Sequence, residues 1–172
     1  MGTRNLTKVI DKDGIVRVAQ YGQWDGYPSY SGIRILELIS EYRMLDKIEK
    51  SLSKCRWVEP AIIDNAVFSY QNSPKFEELR KDPGGFALAF PSLARDTGVD
   101  ILKCIVYGED IALVNDEDFE NDELFCEAVY TLDFQQRLFI SKYGATLIHE
   151  FDRLPTPEEY LAAWDNVVDT FV

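Results

Sequence analysis

The residue types best suited to chemistry lie together in one short segment, Tyr21 to Pro28, which reads Tyr-Gly-Gln-Trp-Asp-Gly-Tyr-Pro. Asp25 stands between aromatic residues, and rings that exclude water raise the pKa of a carboxyl group and make proton transfer possible. Tyr21 and Tyr27 offer a proton donor or a surface for stacking. These three residues are therefore candidate catalytic residues. The structural alternative is that Asp25 caps a turn while the rings join the neighbouring elements.

A cation for this loop is expected from the start of the chain. Two runs rich in β-branched residues surround Asp11 to Gly14, and this pattern predicts a β-hairpin over residues 4–21. The hairpin brings Arg4 back beside Tyr21. Because a guanidinium group can hold a phosphate or a carboxylate with two hydrogen bonds, Arg4 completes the candidate catalytic set. The alternative is an ion pair between Arg4 and Asp25 that only fixes the loop.

A second polar cluster, Arg95, Asp96 and Thr97, precedes a helical pattern. Asp96 or Thr97 in this position is typical of a helix N-cap. If the cluster adjoins the loop, Asp25 and Asp96 could share a proton or a divalent metal. No other cofactor is predicted, and no zinc site, because the three cysteines and the single histidine lack the spacing of zinc ligands. The motifs of serine hydrolases, P-loop enzymes, dinucleotide-binding folds and zinc proteases are all missing.

Charge is distributed unevenly along the 172 residues. The net charge is −12, yet the first 56 residues hold ten Lys and Arg against seven Asp and Glu. Residues 109–127 carry nine acids and no base. Such a field repels nucleic acid, so a protein that coats DNA or RNA is excluded. No apolar run approaches the ~20 residues of a membrane span, and we expect a cytoplasmic protein that does not contact a membrane.

The elements that position these residues follow from periodicity. After the hairpin, a helix of about five turns, bent or broken near Leu45, is predicted from Gly32 onward. Residues 57–90 form an insert region whose elements the pattern does not place, and a further helical pattern leads to Tyr107. We expect the acidic stretch 109–123 to be a solvated connector. Later runs predict a second hairpin over 124–142, a strand over 146–151 and a helix that begins near Thr156.

These elements predict one α+β domain over residues 1–172. Its antiparallel sheet would consist of the two hairpins plus one strand, with the helices packed mainly on one face.

Three segments together resemble a family of small, largely uncharacterised proteins of phages, prophages and plasmids, mainly from Gram-positive bacteria. The segments are Gly-Thr-Arg-Asn-Leu at 2–6, Ala-Gln-Tyr-Gly-Gln-Trp-Asp-Gly-Tyr-Pro at 19–28, and Arg-Asp-Thr-Gly at 95–98 within 91–98. A further run at 125–133 is similar to the family's next strand, although Ala128 stands where the family pattern has Trp. The resemblance extends to about residue 142, apart from the insert region.

The resemblance implies an anti-defence protein inside a bacterial host cell. In size and in its N-terminal β-hairpin the chain is also similar to some type II anti-CRISPR proteins. That similarity implies an inhibitor of Cas9 that acts on the Cas9–guide RNA complex through the hairpin, including a ribonuclease-type activity that truncates the guide RNA. The residues expected to contact RNA or the partner are Thr3, Asn5, Lys8, Arg17, Gln23 and Trp24.

Two other functions fit the same residues. One is a small hydrolase-like enzyme with a pocket at the base of the hairpin, where Arg4, Asp25 and Asp96 would converge. The other is an acidic mimic of nucleic acid that blocks a basic groove by charge alone. The sequence does not decide whether any bond is cleaved.

Overall fold

The protein is built on a main sheet of five strands and a small sheet of two strands. The computed structural model describes residues 2–169, and the side chains of residues 2–167. The strands of the main sheet are β1 (Asn5–Ile10), β2 (Val16–Gly22), β5 (Ala128–Asp133), β6 (Leu138–Tyr143) and β7 (Ala145–Glu150). They lie side by side in the order β2-β1-β5-β6-β7. The small parallel sheet pairs β3 (Cys55–Trp57) with β4 (Ile111–Leu113). The helices are α1 (Ile33–Ser40), α2 (Met44–Ser51), α3 (Ala61–Asn72), α4 (Gly85–Ala89), α5 (Ile101–Tyr107) and α6 (Pro157–Asp169).

The predicted α+β class is confirmed, and both hairpins form. In the first hairpin, the Asp11 carboxylate accepts hydrogen bonds from the backbone N–H groups of Asp13 and Ile15, and Gly14 has a φ of 81°. This turn needs a residue that tolerates positive φ, and glycine does so without strain. The long helix is broken near Leu45, as predicted: α1 ends at Ser40 and α2 begins at Met44, with Arg43 between them at a φ of 58°.

The sheet is not wholly antiparallel. β1 pairs with β2 on one side in the antiparallel sense, but with β5 on the other side in the parallel sense, with Asn5 opposite Ala128. The prediction of hairpins joined into a purely antiparallel sheet was wrong at this junction. Periodicity describes each strand separately and carries no information about which hairpin strand meets which, or in what direction.

One face of the sheet packs against the helices and forms the main core. Alternate strand residues such as Val9, Val18, Tyr130 and Phe139 are fully or almost fully buried there. They meet apolar side chains of α1, α2, α5 and α6: Ile35, Leu36, Ile39, Met44, Ile48, Ile101, Leu102, Ile105, Tyr160 and Trp164. The predicted packing of helices mainly on one face follows from this alternation.

The acidic stretch is not a solvated connector. It forms β4 and then a short 3-10 turn over Glu117–Asn121 that lies against the second face of the sheet. Phe119 packs edge-on against Tyr21 with the ring centroids 4.9 Å apart, and Glu120 pairs with Lys8. The charge count misled the prediction because apolar residues are interspersed with the acids and cover the exposed side of the sheet.

The insert region forms α3, two 3-10 turns and α4. Its apolar contacts are largely internal, since the rings of Tyr70, Phe76, Phe86 and Phe90 pack on one another at centroid distances of 5.3–5.7 Å. Across the described part of the chain, no helix is long and apolar enough to cross a membrane.

Candidate functional site

Residues 22–28, which we call the aromatic loop, wrap around the side chain of Asn5, which has no exposed surface. We call this arrangement of the loop around Asn5 the cradle. The Asn5 amide donates a hydrogen bond of 3.2 Å to the carbonyl oxygen of Trp24. A Cβ at Gly22 would lie 2.6 Å from the Asn5 Oδ1, and one at Gly26 would lie 2.9 Å from the Asn5 Cβ. The chain can therefore wrap this closely around Asn5 only because both positions are glycine.

Further hydrogen bonds fix the middle of the loop. The Gly26 N–H donates to the Thr3 carbonyl at 2.9 Å, and the Gly26 carbonyl accepts from the buried hydroxyl of Tyr130 at 2.6 Å. Asp25 has a φ of 52°, and its carbonyl accepts from the Ser31 hydroxyl at 2.6 Å. These bonds place the loop directly before the single helical turn of residues 28–32 that leads into α1. The loop is thus a rigid part of the fold.

Trp24 projects from this cradle with half of its surface exposed. Its indole N–H donates to the Asp96 carboxylate at 2.8 Å. The backbone of Gly2 packs so closely against the Trp24 ring that a Cβ at residue 2 would overlap it. An exposed ring that is bonded at one edge and supported by backbone keeps one orientation. Tryptophan rings that combine an exposed apolar face with a hydrogen-bonded N–H are enriched at interfaces.

The second polar cluster does adjoin the loop, but it does not cap a helix. Neither Asp96 nor Thr97 makes a capping hydrogen bond at the turn that precedes α5. Asp96 binds Trp24 instead, while the Thr97 hydroxyl donates to the Pro91 carbonyl. The Arg95 carbonyl accepts from the Gln23 N–H at 3.0 Å and ties the two segments together. The predicted N-cap was wrong because the sequence pattern did not show the competing partner across the loop.

The loop and this cluster enclose a cleft of about 210 Å³, which we call the aromatic cleft. The Arg34 guanidinium lies 5.3 Å from the centroid of the Tyr30 ring and is paired with the Asp100 carboxylate. A smaller depression of about 130 Å³ continues from it along α1. The aromatic cleft is lined by Gln23, Trp24, Asp25, Tyr30, Ser31, Arg34 and residues 96–100.

Arg4 and Tyr21 lie elsewhere, on the opposite face of the hairpin from the Asn5 side chain. The Arg4 guanidinium stacks over the Phe125 ring at 4.3 Å, and its Nε is buried without a hydrogen-bond partner. The Tyr21 hydroxyl donates to the Gln23 side chain at 2.6 Å. Burial raises the pKa of Tyr21, although the charges of Arg4 and Arg95 partly oppose this.

The predicted catalytic set is therefore divided between two places. Asp25 lines the aromatic cleft together with Asp96, whereas Arg4 and Tyr21 do not line it. No ion pair joins Arg4 to Asp25, two residues that both fall within the described chain. Tyr27 is exposed, and its carbonyl accepts three backbone hydrogen bonds that begin the helical turn of residues 28–32.

The residues predicted to contact RNA are also divided. Thr3 and Asn5 are buried and hold the loop, while Gln23 and Trp24 line the cleft. The two cations are engaged within the protein: Lys8 pairs with Glu120, and Arg17 pairs with Asp11 and donates to the Leu52 carbonyl at 2.9 Å. Two of the basic side chains of the hairpin are therefore neutralised by ion pairs in the folded protein.

Asp116 was missed by the sequence reasoning. It lines a pocket of about 140 Å³ with Tyr21 and Arg95, and its carboxylate accepts from the Tyr21 N–H at 3.1 Å. Burial raises the pKa of Asp116. Nothing local in the sequence distinguishes this acid from its neighbours in the acidic stretch. Tyr30 and Arg34 were missed too, although their separation of four residues is a helical signal that could have been noticed.

Within residues 2–169, no group of three or more His, Cys, Asp or Glu side chains could hold a metal ion. Comparison of the chain with family models, with curated proteins and with solved structures gives no match. The geometry of the aromatic cleft is therefore the basis for assigning a function.

Proposed function

We propose that this chain is a binding protein, an anti-defence factor of a mobile genetic element that contacts its target through the aromatic cleft. The observation that supports this proposal most strongly is the Trp24 ring, which is half exposed and yet fixed by Asp96 and Gly2. Energetically dominant residues of protein interfaces are enriched in Trp, Tyr and Arg. A side chain that is already immobile loses little entropy when a partner covers it.

The placement of the predicted catalytic residues favours binding over cleavage of RNA. Cleavage needs a base close to the reacting hydroxyl and a cation on the phosphate that is attacked. Asp25 lines the aromatic cleft without Arg4, and the cation that lines the same cleft, Arg34, is already paired with Asp100. The resemblance to mobile-element proteins makes the Cas9–guide RNA complex the first partner to test, with inhibition by steric blocking as the mechanism.

The proposal is tested by comparing Trp24→Ala with Trp57→Ala. Trp57 is a matched control because it is 41% exposed but lies in β3, outside the cleft. Each protein is incubated with the Cas9–guide complex, target DNA and labelled guide RNA. We expect the wild-type protein and Trp57→Ala to form a complex and block DNA cleavage while the guide stays intact. Trp24→Ala should bind at least about 30-fold more weakly, the loss typical of a dominant interface residue.

Each contrary result has a distinct meaning. Equal binding by both variants would rule out the aromatic cleft as the contact surface. A shortened guide would replace the binding function with ribonuclease activity. Strong salt sensitivity without any dependence on Trp24 would favour the acidic mimic of nucleic acid. Failure of the wild-type protein to bind would refute Cas9 as the partner.

A further inference from the structure

The aromatic cleft holds one guanidinium group of its own. The Arg34 side chain lies over the Tyr30 ring and is paired with the carboxylate of Asp100. An aromatic face on one side and a carboxylate on the other satisfy both properties of a guanidinium group, its delocalised plane and its directed N–H groups. The cleft thus already binds one guanidinium group between an aromatic ring and a carboxylate.

The same cleft contains a second ring and carboxylate set that has no cation. Trp24, Asp25 and Asp96 line it together. Within the described residues, neither Asp25 nor Asp96 is in an ion pair, and no cation lies over the Trp24 ring. Since Trp24 is fixed, its exposed face stays available in one orientation.

The charge around the cleft determines which ligand can enter. Across the cleft and the depression that continues from it, five carboxylates are present with two cations, Arg34 and Lys103. A phosphate group would meet an unfavourable potential here, whereas a cationic side chain would be attracted. The Asp96 carboxylate has two oxygens, and only Oδ1 is used by the Trp24 N–H.

We infer that the aromatic cleft takes up a cationic side chain of a protein partner, most favourably an arginine stacked on Trp24 and paired with Asp25 and Asp96. This inference rests on the proposed function, because it names the group that the partner inserts into the same site. It also assigns the site to a protein surface rather than to a guide RNA backbone.

The experiment uses the purified 172-residue chain without any defence complex. In a Trp57→Phe background the remaining exposed tryptophan is Trp24, since Trp164 is buried. Its fluorescence is followed while short arginine, lysine and glutamate peptides, or a single-stranded RNA, are added. We expect the arginine peptide to change the emission of Trp24, the lysine peptide to act more weakly, and the glutamate peptide and RNA to have no effect. The double variant Asp25→Asn/Asp96→Asn should bind the arginine peptide about tenfold more weakly, while the amide oxygen that it places at position 96 can still accept from the Trp24 N–H.

A control of equal net charge separates the cleft from general attraction to an acidic protein. Asp64→Asn/Glu77→Gln removes two exposed carboxylates from the insert region and should bind like the wild-type protein. Equal weakening by both double variants, or an equal response to RNA, would overturn the inference. If the Cas9 complex binds through Trp24 but the arginine peptide does not bind, only this inference fails. If the peptide binds and Cas9 does not, the choice of partner fails and the chemistry of the cleft stands.

Discussion

Removal of the Tyr130 hydroxyl group should weaken the hydrogen bonding that holds the aromatic loop in place. The Tyr130 side chain is 1% exposed, and its hydroxyl donates to the carbonyl of Gly26, which lies 104 residues away in the chain. Tyr130→Phe keeps the ring and leaves this buried carbonyl without its partner. Because an unsatisfied buried polar group costs about 1–3 kcal/mol, we expect the free energy of unfolding to fall by that amount. For a chain of this length each kcal/mol corresponds to roughly 2–4 °C in Tm.

The measurement combines urea unfolding with amide hydrogen exchange. Tyr130→Phe should lower the midpoint of unfolding and increase exchange at the Gly26 amide, which is bonded to Thr3 in the same cradle. Tyr42→Phe provides the control, because Tyr42 is 87% exposed and loss of its hydroxyl should change neither quantity. Wild-type stability together with unchanged exchange in Tyr130→Phe would show that this hydrogen bond does not support the loop.

Three further predictions concern the carboxylates of Asp116 and Asp11 and the close packing at Gly32. Burial raises the pKa of Asp116 in the folded state. The free energy of unfolding therefore falls as the pH rises above about 4, the usual pKa of Asp, because the unfolded state loses this proton first. Asp116→Asn should stabilise the protein at pH 7 and have no such effect at pH 3. At Asp11, desolvation raises the pKa, but the hydrogen bonds from the N–H groups of Ile15 and Asp13 outweigh it, and the pKa is lowered. The Asp11 carboxylate therefore stabilises the folded state above about pH 4, and this stabilisation is lost at lower pH. Asp11→Asn should destabilise the protein at pH 7 and progressively less in acid, and urea unfolding from pH 3 to 7 checks both variants; parallel pH profiles would contradict the opposite signs. Gly32→Ala should lower the free energy of unfolding by about 1–3 kcal/mol in the same assay, because a Cβ there overlaps the Tyr160 hydroxyl. Gly84→Ala is the control and should cost little, because the atom nearest to its Cβ would be 3.4 Å away. Equal losses in the two variants would refute the crowding argument.

The sequence predicted best what depends on neighbouring residues. The first hairpin follows from alternation around Asp11 and Gly14, and the loop is conspicuous because it holds large rings between glycines. The same alternation could have corrected the predicted position of Arg4, because successive side chains of a strand point to opposite faces. Since Asn5 points into the cradle, Arg4 must point away from it, toward Phe125.

Contacts between distant segments were beyond the sequence reasoning. The Asp96 partner of Trp24 is 72 residues away, and it displaced the expected N-cap. The cover of the second sheet face by Phe119 and Glu120 was hidden by the acidic charge count. Both are cases in which a side chain meets a better partner in the folded chain than the local pattern offers it.

The parallel pairing of β1 with β5 has a consequence for how the protein is made. The second edge of β1 is paired only by β5, a strand that begins 123 residues later, with Asn5 opposite Ala128. During synthesis one edge of the first hairpin therefore stays unpaired until residues 128–133 have left the ribosome. Contacts of such long range slow folding, because the closure of a large loop precedes the stabilising contacts. Tyr130 arrives with the same strand, so the cradle that orients Trp24 is completed late in synthesis.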